Sequence, residues 1–334
     1  MSRRLALLAC LLQAAGAQTC PPADWVAKLL NRGDVTEAER ALAPLEAAPP
    51  CPEILLDLAR LRAAQKLPRP AEAYFSRYLD LAPRDARGYL YFARFLFSME
   101  DYPRADAMSQ KAVLLDPSST SALILQGRLL AMKGEVAKGQ ELLQQACKID
   151  PNNVEAHFQL GALMDRGKRY AEAVVEFGKA IALDPANPQA YDYLALNLEP
   201  LGEVEKAERA YQNGLRMNQG PLFDSFLDYN YGRFLMKVNR LAASKKHLDR
   251  AVDLTPGVRA VRYERGKLNL RLGNYAEARS DAERALSIRD PGKVIIDLQV
   301  YNLLQLIYAR LGEKELAKKY AELSRTTSVP IRPR

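Results

Sequence analysis

The chain has 334 residues, of which 48% are hydrophobic and 26% charged, and a formal net charge of +8. That composition belongs to a folded, water-soluble body rather than a disordered or multiply membrane-spanning one. The acidic residues are dispersed among the basic ones, so nothing forces a nucleic-acid function, which calls for a segregated basic stripe or a recognisable motif.

The N-terminus differs from the rest. Arg3 and Arg4 precede an apolar run from Leu5 to Leu12, and Ala15, Gly16 and Ala17 supply the small residues a signal peptidase accepts. Residues 1–17 are therefore expected to be a cleaved secretory signal, which places the mature chain outside the cytoplasm, periplasmic or secreted. The run is too short for a membrane anchor, and no other stretch approaches a transmembrane segment. Lipid attachment is the weaker option: Gln18 and Thr19 before Cys20 are not the small-residue box that lipoprotein signals use, and too little apolar sequence precedes Cys10.

Residues 18–51 read as a degenerate helical hairpin built on Trp25, Leu29, Leu30, Gly33, Ala38 and Leu42. Cys20 and Cys51 bracket it. The two ends of a hairpin lie side by side, so these cysteines are candidates for a disulfide, the alternative being two unrelated thiols.

The body of the chain is organised by a period. Pro83, Pro117, Pro151 and Pro185 are 34 residues apart, each closing an apolar helical pattern. Small residues keep the same spacing, at Ala93, Gly127, Gly161 and Ala195 in first helices, and at Ala71, Ala105, Gly139, Ala173 and Ala207 in second helices. The clearest unit is Val154 to Asn187. Leu160, Gly161, Met164, Ala173, Phe177, Ala180 and Pro185 stand at positions 7, 8, 11, 20, 24, 27 and 32 of a 34-residue frame, with a polar break at Arg166, Gly167 and Lys168 in which the glycine is expected to supply the turn.

This constellation resembles the tetratricopeptide repeat family, a match to a known 34-residue pattern. The resemblance covers about Ala23 to Ser324 and implies an all-α, right-handed α-solenoid of tandem helix-turn-helix repeats. The frame places repeats at 52–85, 86–119, 120–153, 154–187, 188–224, 225–258, 259–297 and 298–324, followed by a basic tail at 325–334. The register slips twice, around Gln219 to Ser225 and Asp290 to Asp297, where insertions lengthen the links between hairpins.

Catalytic chemistry finds no candidates. His157 and His247 lie in different repeats without a second ligand at metal spacing, and His157 reads as a core histidine. Cys147 reads as a small buried hydrophobe. No nucleophile elbow, phosphate-cradling loop or zinc-protease motif is present, so neither enzyme activity nor a cofactor or metal is expected.

Binding has a candidate. Positions 2, 5, 9 and 12 of each first helix point away from its own second helix, and the resemblance implies that this face lines a concave groove. Position 9 is Arg60, Arg94 and Arg128 in three consecutive repeats, then Arg233 and Lys267 further on. Position 5 is Leu56, Leu90 and Ile124 in the same three repeats. An arginine row beside an apolar strip suits an extended peptide with carboxylates or a free C-terminus, although the arginines can equally pair within the face, with Asp57 and Glu53. The expected function is a non-enzymatic exported scaffold that binds proteins or peptides. The alternative is an accessory subunit of an envelope enzyme complex that contacts an anionic polymer or lipid.

Overall fold

A computed structural model describes residues 24–46, 51–219 and 223–328, and for residues 24–27 and 328 the backbone alone. The expected signal at 1–17, Cys20 and the tail beyond Ser328 lie outside the described residues. Eighteen α-helices and one short 3₁₀ turn account for nearly all of the rest, and no strand occurs among the described residues. None of these helices is long and apolar enough to cross a membrane. The chain divides into two compact units, residues 1–163 and 164–334.

The first unit holds α1 (Asp24–Arg32), α2 (Val35–Leu42), α3 (Pro52–Ala64), α4 (Pro68–Leu81), α5 (Ala86–Ser98), α6 (Tyr102–Leu115), α7 (Thr120–Lys133), α8 (Val136–Ile149) and most of α9 (Val154–Arg166), within which the division falls. Starts are set by local chemistry: Pro52 and Pro68 stand in first turns that have no use for their missing N–H. Asp85, Asp101 and Ser119 cap α5, α6 and α7 by accepting backbone N–H groups. Consecutive helices pair as antiparallel hairpins, and the first helices α3, α5 and α7 also touch one another in sequence order. The small residues matter where hairpin helices meet. A Cβ on Gly139 would come within 2.6 Å of the Gly127 carbonyl oxygen, so α7 and α8 close backbone to backbone. Around these contacts Phe75, Phe92 and Phe95 stack, with ring centroids 5.0 Å apart for the first pair, inside a core that includes Leu55, Leu56, Leu96 and Leu125.

The second unit holds α10 (Tyr170–Leu183), α11 (Pro188–Leu198), α12 (Val204–Met217), α13 (Leu227–Lys237), α14 (Leu241–Leu254), α15 (Arg259–Leu272), α16 (Tyr275–Ser287), α17 (Asp297–Leu311) and α18 (Lys314–Ser328). Its first helices α11, α13, α15 and α17 likewise touch in order. Tyr211, Tyr231 and Phe234 form one aromatic cluster, and Val300, Leu304, Ile307 and Tyr308 anchor another beneath α18. Between them α15 departs from the apolar rule. Arg265 reaches Asp281 at 2.7 Å and 2.8 Å, Arg262 reaches it at 3.1 Å and Asn269 at 3.3 Å, around a carboxylate only 1% exposed. Three donors make the burial of that charge tolerable.

Among the described residues, each link from a first helix to its second passes through one left-handed residue: Gly33, Lys66, Glu100, Gly134, Lys168, Gly202, Asn239, Gly273 and Gly312. In the best-formed repeat the glycine expected to supply the turn, Gly167, does not do so. Lys168, one residue later, takes the positive φ of 57°. The reason is register: the left-handed slot recurs 34 residues apart at 66, 100, 134, 168 and 202, and Gly167 falls one place early.

Candidate functional site

The face carried by α3, α5 and α7 is where the sequence places its arginine row, and the three arginines prove unlike one another. Arg60 is half-buried and fully engaged. Its guanidinium bonds Asp57 at 3.3 Å and Asn31 at 2.6 Å, and its central carbon lies 4.4 Å from the ring centroid of Tyr91. Arg128 lies 4.8 Å over Phe97 and meets Glu155 at 3.7 Å. Arg94 is exposed and makes no hydrogen bond, ion pair or ring contact with any described residue. Two arginines are thus held across repeats by an aromatic ring on the neighbouring first helix, and the one between them in sequence is free.

The expected apolar strip is a different matter. Leu56 is 3% exposed and Ile124 5%, so both belong to the core rather than to a surface, and Leu90 is half-buried against the same core. Close packing of the first helices turns position 5 inward, and the aromatic residues beside the arginines are the half-buried Tyr91 and Phe97. Sequence reasoning passed over both residues. The signal was present as aromatic residues at positions 6 and 12 of the repeat that holds Arg94.

Acidic groups border this face. Arg87, at position 2, bridges Glu53 at 2.7 Å and Asp85 at 2.6 Å, an exposed set in which Tyr78 also donates to Asp85 at 2.6 Å. Those bonds hold the Asp85 carboxyl below its ordinary range against the opposing effect of burial. Asp57 is 4% exposed, and burial pushes its carboxyl up to about 6, with Arg60 pulling the other way.

In the second unit Arg233 and Lys267 lie over Tyr229 and Tyr263, four residues earlier on their own helices, at 5.3 Å and 5.4 Å. Lys267 also pairs with Glu264 at 2.9 Å. Both cations lie over rings of their own helices, and Lys267 is paired with an acid as well, so neither stands clear as Arg94 does.

The remaining candidates are structural. His157 is buried, with Nε2 3.0 Å from the Pro151 carbonyl and Nδ1 3.8 Å from the Cys147 sulfur; Cys147 is half-buried and not in a disulfide. His247 Nδ1 lies 2.7 Å from the fully buried Asp228, and Tyr231 packs on its ring. No group of three acids, histidines or cysteines able to hold a metal occurs among the described residues. Cys51 is disulfide-bonded; Cys20, its expected partner, lies outside the described residues.

Tandem hairpins that display one face of their first helices define a repeat scaffold. Sequence models of the tetratricopeptide repeat match residues 28–86, 92–154 and 229–293, with a further repeat model over 142–175. The chain belongs to the tetratricopeptide repeat family. No curated protein matches it in sequence. Among solved structures, the anaphase-promoting complex hetero-tetramer Cut9–Hcn1 aligns with 84% of this chain and 54% of its own, at a TM-score of 0.66 and 14% identity. PilF of Pseudomonas aeruginosa aligns over 64% of this chain and 93% of its own, at 0.56 and 19%. A tetratricopeptide repeat protein from Parabacteroides merdae covers 74% and 94%, at 0.53 and 14%. At such identities the likeness is one of fold.

Proposed function

We propose that this protein is a non-enzymatic, exported scaffold that binds an extended protein segment along the α3, α5 and α7 face. The segment carries carboxylates or a free C-terminus. The observation that supports this most directly is Arg94, an exposed guanidinium with no partner among the described residues, set between repeats whose arginines are fixed on aromatic rings. A carboxylate there gains a charge-assisted, bidentate contact without breaking an existing one. Tyr91 and Phe97, each half-buried beneath a guanidinium, flank it on the same helix. Export rests on the pattern of residues 1–17 alone.

Affinity capture from the source organism's envelope with residues 18–334 as bait, run beside an R94E bait, tests this reading. A protein retained by the native bait and lost from R94E supports it. Equal retention by both baits sinks it. Retention of an acidic polysaccharide or lipid in place of protein, released by salt, would favour the accessory-subunit alternative.

A further inference from the structure

Both breaks in the 34-residue register lie in the second unit, and both carry apolar side chains into solvent. Between α12 and α13, Phe223 is 42% and Phe226 43% exposed; between α16 and α17, Val294 is 67% and Ile296 42% exposed. Neither link is loosely held. Asn218, 4% exposed, bonds the backbone N–H and carbonyl of Asp224 at 2.6 Å and 2.8 Å, and Asp224 in turn accepts the Phe226 N–H at 2.9 Å. In the second link Asp290 accepts the Ile295 N–H and Gln299 the Ile296 N–H, each at 2.9 Å, while Ile295 itself is buried in the core. Clustered apolar side chains held in water by an ordered backbone mark a surface that something else covers.

The helix starts show the same departure. Asp85, Ser119 and Asn187 stand at the starts of α5, α7 and α11 and accept backbone N–H groups there. In α13, α15 and α17 that position holds Phe226, Val258 and Ile296, whose side chains make no capping bond, although polar residues are preferred at this place. These three helices touch in order, so their apolar starts fall on one edge of the unit. The edge runs on into the first-helix face. Phe226 meets Tyr229 edge to face with ring centroids 6.4 Å apart, and Tyr229, Val258 and Tyr263 pack against the cluster that holds Ile295.

Charge favours one kind of occupant. The acids within the two links are committed: Asp224 and Asp290 to backbone N–H groups, and Asp297 to Arg259. Arg289 and Lys293 are exposed and enter no ion pair with a described residue, and Arg233 and Lys267 lie over Tyr229 and Tyr263.

We propose that this edge docks a protein segment that presents apolar side chains beside carboxylates, with Phe226 and Ile296 as its anchor points. Phe226 and Ile296 gain by leaving water, and the segment's carboxylates meet Arg289 and Lys293. A bilayer fits less well, because seating Ile296 in it would bring the half-exposed Asp297 against its anionic surface. The edge is separate from the arginine face of the first unit, so either reading can fail alone.

A random-peptide phage library panned against the full chain tests the proposal. The expected binders combine Phe, Leu, Ile or Trp with Asp or Glu. A synthetic peptide of the selected sequence should bind the double variant F226S/I296S about tenfold more weakly than the native chain, and bind R94E as tightly as the native chain. Both substituted side chains are exposed, and circular dichroism checks that the variant folds. Hydrogen exchange of the native chain with the peptide bound should show protection gained around Phe226 and Ile296. A library without binders, equal affinity for the double variant, or protection elsewhere only overturns the proposal. So does uptake by phosphatidylglycerol vesicles of the native chain but not the variant, which would assign the edge to a membrane. Concentration-dependent mass in light scattering that the variant abolishes would assign it to a second copy, and overturns the proposal equally.

Discussion

The Arg60 guanidinium carbon stands 4.4 Å from the ring centroid of Tyr91, on the next first helix, while Arg94, one turn beyond Tyr91, has no partner among the described residues. The same residue type at the same repeat position therefore serves two ends. Arg60 fastens one hairpin to the next, and Arg94 makes no such contact.

Substitution separates these ends. R94E should leave stability within about 0.5 kcal/mol of the native value, because an exposed side chain without partners carries little folding energy. R60A should cost about 2 kcal/mol, since it removes the ring contact and leaves Asp57 buried with its ion pair gone. Urea unfolding of both variants, beside their retention of a captured partner, checks this. A destabilised R94E would show that Arg94 has a structural role.

Asp57 gives the first unit a pH dependence of definite sign. Its folded carboxyl, raised to about 6 by burial, binds a proton more tightly than the unfolded group at 3.8. Its contribution is therefore fully present below about pH 4 and is lost as pH rises through 6. D57N removes that loss, so the variant should gain on the native chain between pH 4 and 7 by about 2 kcal/mol, given roughly 1.4 kcal/mol for each tenfold change in proton affinity and some screening by water. Parallel urea curves for the two chains across that range would contradict the assignment.

Lys168 occupies a left-handed slot at φ 57° that equivalent turns give to glycine, at Gly33, Gly134, Gly202, Gly273 and Gly312. K168G should stabilise the second unit by about 0.5–1 kcal/mol, since the Cβ clash disappears while some unfolded-chain entropy is gained. G202A, in the equivalent turn of the next hairpin, should destabilise by a similar amount or more. Thermal midpoints of the two variants moving in the same direction would break this account.

His247 holds one oxygen of Asp228, a carboxylate with no exposure, at 2.7 Å, and Arg250 adds an ion pair to the other at 3.3 Å without hydrogen-bonding it. H247A should cost about 2–3 kcal/mol, because the buried acid loses its shorter bond and the ring packing of Tyr231 goes with it. Hydrogen exchange should place the loss in α13 and α14. A variant as stable as the native chain would mean that Arg250 alone satisfies the acid.

Cys51 is in a disulfide and Cys147 is not. A chain of residues 18–334, denatured without reductant, should then expose one reactive thiol when Cys20 is the partner of Cys51. Reduction should lower the stability of the first hairpin by about 3 kcal/mol in the chain-entropy model. Three thiols before reduction would exclude the bond.

The period of 34 is written in the residues themselves. Prolines, small residues and apolar positions recur because each hairpin solves the same packing problem, so fold class and family were legible from the text of the chain. The candidate face was legible only in outline. Position 9 named Arg60, Arg94 and Arg128, but their difference lies in Tyr91, Phe97, Asn31 and Glu155, which reach them from neighbouring helices. Leu56 and Ile124 were misplaced because helical periodicity gives a direction about one helix axis, and their burial depends on how closely the next helix approaches.

By itself, then, the sequence determined the architecture: a tandem array of helical hairpins whose identity survives in every repeat, because local pattern and nearest-neighbour packing suffice to specify it. Tertiary structure alone decided which charges are spent and which are available. Whether an arginine is free, or a buried aspartate finds a donor, depends on atoms contributed from elsewhere in the chain, and on the water they exclude.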